Sequence, residues 1–195
     1  MTSVTDALGN TIQYIYSAVS SILLGGTITA GDVLTVTVHN SALSGGLKNI
    51  PYTVQTGDSL AKIATFYANT INADAALQAQ NISAQSAAEL ISLRSNSANP
   101  TTYSVSTSVG ATESLAAGPV IPGYLTQIDG PLPGDQDSSY LAYDRYGRVS
   151  ATVNSQGYKV VSQYDLMDRP IKQIYPDGTF EKSIYDKLEI GRAHV

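Results

Sequence analysis

Tyr-Asp recurs at a constant interval near the end of this chain, at Tyr143-Asp144, Tyr164-Asp165 and Tyr185-Asp186, each step being 21 residues. Gly157 and Gly178 keep the same interval, each seven residues before the next Tyr-Asp, and Arg148 and Arg169 keep it too. A fixed period of this length marks a repeat whose units bury surface only against one another. Each copy is also punctuated by turn chemistry. Asp144-Arg145-Tyr146-Gly147 and Asn154-Ser155-Gln156-Gly157 place Asp or Asn first and Gly fourth. Tyr175-Pro176-Asp177-Gly178 has Pro second and Gly fourth. These patterns suit type I turns followed by a left-handed residue. Asp165-Leu166-Met167-Asp168 has Asp in place of the Gly, and Asp tolerates that backbone region better than most residues.

The turns begin at 144, 154, 165 and 175, leaving segments of about six residues, an ordinary strand length. Tyr158, Val160, Ser162 and Tyr164 alternate with Lys159, Val161 and Gln163, the period of a strand with two different faces. Pro170 belongs at a strand start or edge. The expected structure is an antiparallel meander with two strands per repeat, which cannot bury a face without neighbours. The tyrosines suit cross-strand packing. A platform for stacking on sugar rings is the alternative.

The N-terminus keeps traces of the same register. Asp6-Ala7-Leu8-Gly9-Asn10 has the turn spacing, and Gly9 precedes Tyr16 by seven residues, although Ser17 stands where Asp would be expected. Residues 1–17 are therefore read as a degenerate repeat strand. Composition then changes. Eight of the 11 Lys/Arg lie after residue 144 and seven of the 13 Tyr from Tyr140 onward, whereas the middle is rich in Ala, Ser, Thr, Val and Gly. Residues 18–120 are read as an inserted module, 121–138 as a Gly/Pro linker and 139–188 as the repeats.

Within the module, Thr27-Ile28-Thr29 and Val33 to Val38 are β-branched runs around the turn Ala30-Gly31-Asp32. Asn49 to Gln55 reads as a strand. Ser59 to Ile71 reads as a helix capped by Asp58 or Ser59, with Leu60, Ile63, Ala64 and Tyr67 on one face. Ala75 to Gln80 reads as a second helical turn, and Glu89 to Arg94 and Thr101 to Thr107 as closing strands. The fold class expected is mainly β: antiparallel repeat hairpins plus a small α+β or β-sandwich-like module with one main helix.

The run Tyr143-Asp144-Arg145-Tyr146-Gly147-Arg148, with its periodic copies, resembles the YD-repeat (Rhs-type) family. Gly130-Pro131-Leu132-Pro133-Gly134 is similar to linkers between such repeats. The resemblance covers about the last quarter of the chain. It implies a β-sheet that spirals into a hollow shell, often around a toxin, in a large secreted or cell-surface protein. It assigns this piece a non-catalytic structural role, with further repeats of the same full-length chain as partners. The motif residues are Tyr143, Asp144, Gly147, Arg148, Gly157, Tyr164, Asp165, Arg169, Gly178, Tyr185 and Asp186.

The middle segments Gly26-Thr27-Ile28-Thr29-Ala30-Gly31-Asp32 and Ile71-Asn72-Ala73-Asp74-Ala75-Ala76-Leu77-Gln78-Ala79 look like modules inserted in large bacterial and phage surface proteins. Tyr52 to Ala64 also resembles the start of a LysM domain, which implies peptidoglycan or carbohydrate binding. Ser86-Ala87-Ala88 departs from the usual Pro-Gly-Gln before its last strand. Cell-surface carbohydrate is the partner under this alternative.

Other chemistries find little support. Gly57-Asp58-Ser59-Leu60 is similar to the signature of a serine-esterase family, but that chemistry needs a base histidine. Only His39 and His194 exist, neither in a matching context. A lone His39 without cysteine is no metal site, and the chain has no Cys. Asp129, Asp135 and Asp137 match no calcium loop and read as a solvated turn. No phosphate or dinucleotide fingerprint is present. No enzyme, cofactor or metal is therefore expected. The net charge of -5 and the absence of a basic run argue against nucleic acid. No apolar run is long enough to span a bilayer, and no signal peptide follows Met1. Residues 189–195, Glu-Ile-Gly-Arg-Ala-His-Val, resemble a translated sequencing adapter and break the repeat register, so they are read as a non-native tail on a longer natural protein.

Overall fold

Short strands between tight turns dominate the computed structural model, which describes residues 2–185 and 191–194. In chain order, β1 (Thr2–Thr5) and β2 (Thr11–Gly26) precede β3 (Val33–His39) and β4 (Leu47–Thr53). Helices α1 (Leu60–Ala73) and α2 (Ala75–Gln78) follow. Then come β5 (Ile82–Ala87), β6 (Leu90–Ser95), β7 (Thr102–Thr107), β8 (Glu113–Ala117) and β9 (Ile121–Asp129). The last six are β10 (Ser139–Tyr143), β11 (Val149–Val153), β12 (Lys159–Tyr164), β13 (Pro170–Ile174), β14 (Phe180–Tyr185) and β15 (Gly191–His194). The chain is mainly β with antiparallel sheets and one main helix. It divides into two compact units, one of residues 1–15, 125–142 and 148–195, the other of 16–124 and 143–147.

The second unit holds most of the apolar core. Strand β3 alternates strictly, with Leu34, Val36 and Val38 fully buried. It lies between β4 and β7 in a three-stranded sheet. In the second set of strands β6 lies between β2 and β5, and β8 joins the end of β2. Helix α1 starts where Ser59 turns extended and accepts the Lys62 N–H at 3.2 Å, satisfying a donor that the first helical turn leaves open. Its buried residues Ile63, Ala64, Tyr67, Ala68 and Ile71 follow the helical period. The Tyr67 hydroxyl donates to the Leu34 carbonyl at 2.7 Å, so α1 is pinned to β3. Asp74 ends α1 and caps α2, accepting from the Ala76 and Leu77 N–H groups, and pairs with Lys48 at 2.6 Å.

The first unit is a meander. Strands β1 and β2 form a hairpin from Thr2↔Tyr14 to Thr5↔Thr11. Strands β11 to β15 pair consecutively, each with the next in sequence. Between residues 152 and 185 no side chain is fully buried, so this ladder lacks a second layer to close its faces.

Several details differ from the sequence reading. The 121–138 stretch is not all linker: residues 121–129 form β9. Pro122 is the second residue of that strand, near its start, where proline is tolerated, and Gly123 (φ +82°) marks an irregularity rather than an end. Strand β2 runs through the 17/18 boundary. Thr27 to Thr29 is loop, tied instead to Thr112: the Thr27 N–H donates to the Thr112 carbonyl at 3.2 Å, and the Thr112 hydroxyl donates to the Thr27 carbonyl at 2.8 Å. Strands β5 and β8 went unread because Ala and Ser give little hydrophobic contrast. The called tail falls partly outside the described residues; 191–194 form β15.

Candidate functional site

The chemistry-bearing pattern of the sequence is its repeat motif, beginning with the turns. The N–H groups of Gly147, Gly157, Asp168 and Gly178 donate to the carbonyls of Asp144, Asn154, Asp165 and Tyr175 at 2.9–3.3 Å. Gly147, Gly157 and Gly178 take φ of +78°, +79° and +83°, and Asp168 takes +62°. All four bends therefore fall at the positions expected, with Asp168 standing in for Gly in the third and Tyr175-Pro176 opening the fourth. The first residue of each polar turn works through its side chain. Asn154 Oδ1 accepts from the Gln156 and Tyr158 N–H groups, and Asp165 Oδ1 from those of Met167 and Arg169. Asp144 Oδ1 accepts from the Tyr146 N–H. These bonds occupy donors that a tight turn would otherwise leave to water. Tyr175 has no such acceptor, and there Pro176 presets the turn.

The N-terminal copy has the same geometry. The Gly9 N–H donates to the Asp6 carbonyl at 3.1 Å with Gly9 at φ +84°, and Asp6 Oδ1 accepts from Leu8 and Asn10 N–H. The Asn10 side-chain amide, then its N–H, holds the Asp6 carboxyl below the usual carboxylate range.

The motif's Tyr and Arg join one copy to the next. The Arg148 guanidinium lies over the Tyr164 ring, 4.8 Å from its centroid, and Arg169 lies over Tyr185 at 4.5 Å. In return the Tyr164 hydroxyl donates to the Val149 carbonyl, and the Tyr185 hydroxyl to that of Pro170, both at 2.8 Å. Each Arg thus stacks on the Tyr of the following copy, and that Tyr bonds the backbone just after the Arg. Arg148 also donates to the Asp165 carbonyl at 3.0 Å and to Asp168 Oδ1 at 2.9 Å. Arg169 instead pairs with Asp165 Oδ2 of its own turn at 2.7 Å. Desolvation pushes the Asp165 carboxyl up, but the bonds from the Arg169 N–H and guanidinium outweigh it and leave its pKa lowered.

Tyr143 is placed differently. Its ring is buried edge-on against Tyr124, 4.7 Å between centroids, and its carbonyl accepts from the Ser92 hydroxyl at 2.7 Å. Burial pushes its phenol up. A side chain at Gly147 would collide with the Tyr124 phenol, so that position needs glycine for space as well as for φ. Asp186 lies outside the described residues.

Arg148 and Arg169 each cover one face of the ring on which they stack. Sequence reasoning missed Asp168 as the partner of Arg148. Its only signal was the acidic residue where glycine is usual.

The competing constellations resolve into structural roles. Ser59 caps α1, and Asp58 is fully shielded, accepting from the Tyr52 hydroxyl and the Gln55 N–H at 2.7 Å each and pairing with Lys62 at 2.7 Å. His39 Nε2 bonds the Ser104 hydroxyl at 2.7 Å, not Ser59. The Ser138 hydroxyl donates to Asp129, and the Leu132 N–H to Asp137, closing the acidic loop on itself. Among the described residues no group of His, Asp or Glu is placed to hold a metal ion, and no helix is long and apolar enough to cross a membrane. The strand–helix–helix–strand order β4–α1–α2–β5 exists, with β4 paired to β3 and β5 paired to β6. No family model and no curated protein matches the chain.

Proposed function

We propose that this chain is a non-catalytic structural segment of a large secreted or cell-surface YD-repeat (Rhs-type) protein, its repeats continuing a β-shell built by further copies of the same motif. One observation carries this reading. The residues that recur every 21 positions make reciprocal contacts between consecutive copies, Arg stacked on Tyr and Tyr hydroxyl to backbone. Such contacts gain from each added copy, as expected of an array in which every unit contacts only its neighbours. The lack of any fully buried side chain from 152 to 185 is in keeping with this, since two-stranded units need neighbours to be stable.

The test is to extend the chain after Tyr185 with one, two and three further copies of residues 165–185. Thermal unfolding should shift upward with every copy. A flat or falling series would refute the array. A second reading, a LysM-like module that binds peptidoglycan or carbohydrate, rests on the β4–α1–α2–β5 order. Retention of the full chain on insoluble peptidoglycan, lost on substitution within Tyr52 to Ala64, would favour it over the structural role.

A further inference from the structure

The meander's two faces differ in charge. Pairing places Ala151, Val161, Ile174 and Phe180 in one row, because each is the cross-strand partner of the next. The next row on that face is Gln163, Lys172 and Lys182, and Lys159 joins the face opposite Val153. Partners directly opposite in an antiparallel pair share a face. This face therefore presents three lysines between apolar rows, with Phe180 and Ile184 more than half exposed at 55% and 56%. The one carboxylate on strands β11 to β14, Glu181, is the partner of Gln173 and so lies on the other face. Asp165, Asp168 and Asp177 lie in turns.

Lys172 and Lys182 are direct cross-strand partners, and like charges so placed destabilise a sheet. The Lys172 ammonium rests over the Phe180 ring at 4.1 Å from its centroid, and burial lowers the pKa of Lys159. Among the described residues no carboxylate on the strands of that face neutralises these ammoniums. A sheet that tolerates such a pair gains once an anionic partner covers it.

We infer that this face is a docking surface for an extended acidic polypeptide segment in which carboxylates and apolar side chains alternate at every second position, so that both kinds lie on the one face turned to the sheet. The carboxylates would meet Lys159, Lys172 and Lys182, and the apolar side chains would cover Phe180, Ile174 and Ile184. A polypeptide fits better than a nucleic acid or an anionic bilayer. One apolar row sets Lys159 apart from the adjacent Lys172–Lys182 pair, a spacing that the same-face side chains of an extended peptide match, whereas phosphate tracking needs a continuous basic stripe. The inference stands on the face itself and does not depend on the function proposed above.

The experiment measures binding to the full chain by fluorescence anisotropy. The probe is a labelled peptide of about eight residues, a common strand length, with Leu and Glu alternating at every second position and Ser between them, so that both kinds share one face. The same peptide with Gln for Glu is the comparison, and oligothymidylate and phosphatidylserine vesicles are the competing anions. The acidic peptide should bind, the Gln peptide should not, and added salt should weaken binding. Lys182→Glu should weaken binding about tenfold yet raise the unfolding temperature, because it turns a repulsive pair with Lys172 into an attractive one. Phe180→Ser should also weaken it. Affinity unchanged by both substitutions, with circular dichroism showing a folded chain, would overturn the proposal. Tighter binding of oligothymidylate or vesicles would overturn it too, as would a self-associated chain that Lys182→Glu makes monomeric.

Discussion

At Gly157 the backbone takes φ +79° with nothing within 4 Å of where a side chain would begin. The cost of adding a side chain there is therefore conformational and not steric. Gly157→Val should destabilise the protein by about 1–2 kcal/mol, read as a lower urea midpoint. An unchanged midpoint would mean that the bend is not left-handed. The Tyr164 hydroxyl is a separate matter. Tyr164→Phe keeps the ring under Arg148 but removes the bond to the Val149 carbonyl, and should cost about 1 kcal/mol in the same measurement. Asp58 contributes to acid sensitivity, together with Asp6, Asp74, Asp165 and Asp177, whose carboxyls are also held low. The Lys62 side chain first, then the Gln55 N–H and the Tyr52 hydroxyl, hold the Asp58 carboxyl down at about 2. An unfolded Asp titrates at about 3.9, so the folded state binds fewer protons between these values. The resulting stability is fully present above pH ~4 and is lost as pH falls through ~2. Asp58→Asn should flatten that acid limb in urea titrations run at successive pH values. An unaltered limb would place the acid sensitivity elsewhere.

Among the elements, α1 depends on its cap. Ser59→Ala should cost about 1 kcal/mol, measured by thermal unfolding, while Ser59→Asp should restore most of it. The helix and the hairpin bends were legible in the sequence because their determinants are local. A cap sits beside the turn it closes, and Asp/Asn-x-x-Gly fixes a bend within four residues. The long strand β2 was not legible. Ser17, Ser20 and Ser21 are buried in it, and a buried serine reads as a polar surface residue unless its partner is known. For Ser20 that partner is the Gly118 carbonyl, 98 residues away. The placement of β6 between β2 and β5 was equally hidden, since pairing partners are chosen by distant packing. The repeat motif was half legible. Spacing gave its members, but Arg148 is nearer in sequence to Tyr143 than to the Tyr164 on which it stacks. Only the fold shows that the motif works between copies and not within one.

For the whole molecule, the two units place their stability differently. Residues 16–124 and 143–147 contain Ile22, Leu34, Ile63, Tyr67 and Ile91, all with no exposed surface. There Ile22→Ala should cost about 2–5 kcal/mol. Between residues 152 and 185 the meander has no such core and relies on turns, ladder bonds and the Arg–Tyr braces. The claim on which the proposed role depends is that the 21-residue period folds as two paired strands with fixed register. Nuclear magnetic resonance of the full chain tests it most directly. Cross-strand contacts should pair Val161 with Ile174 and Ile174 with Phe180, with left-handed φ at 147, 157, 168 and 178. Helical shifts between 159 and 185, or contacts displaced by one residue, would contradict it.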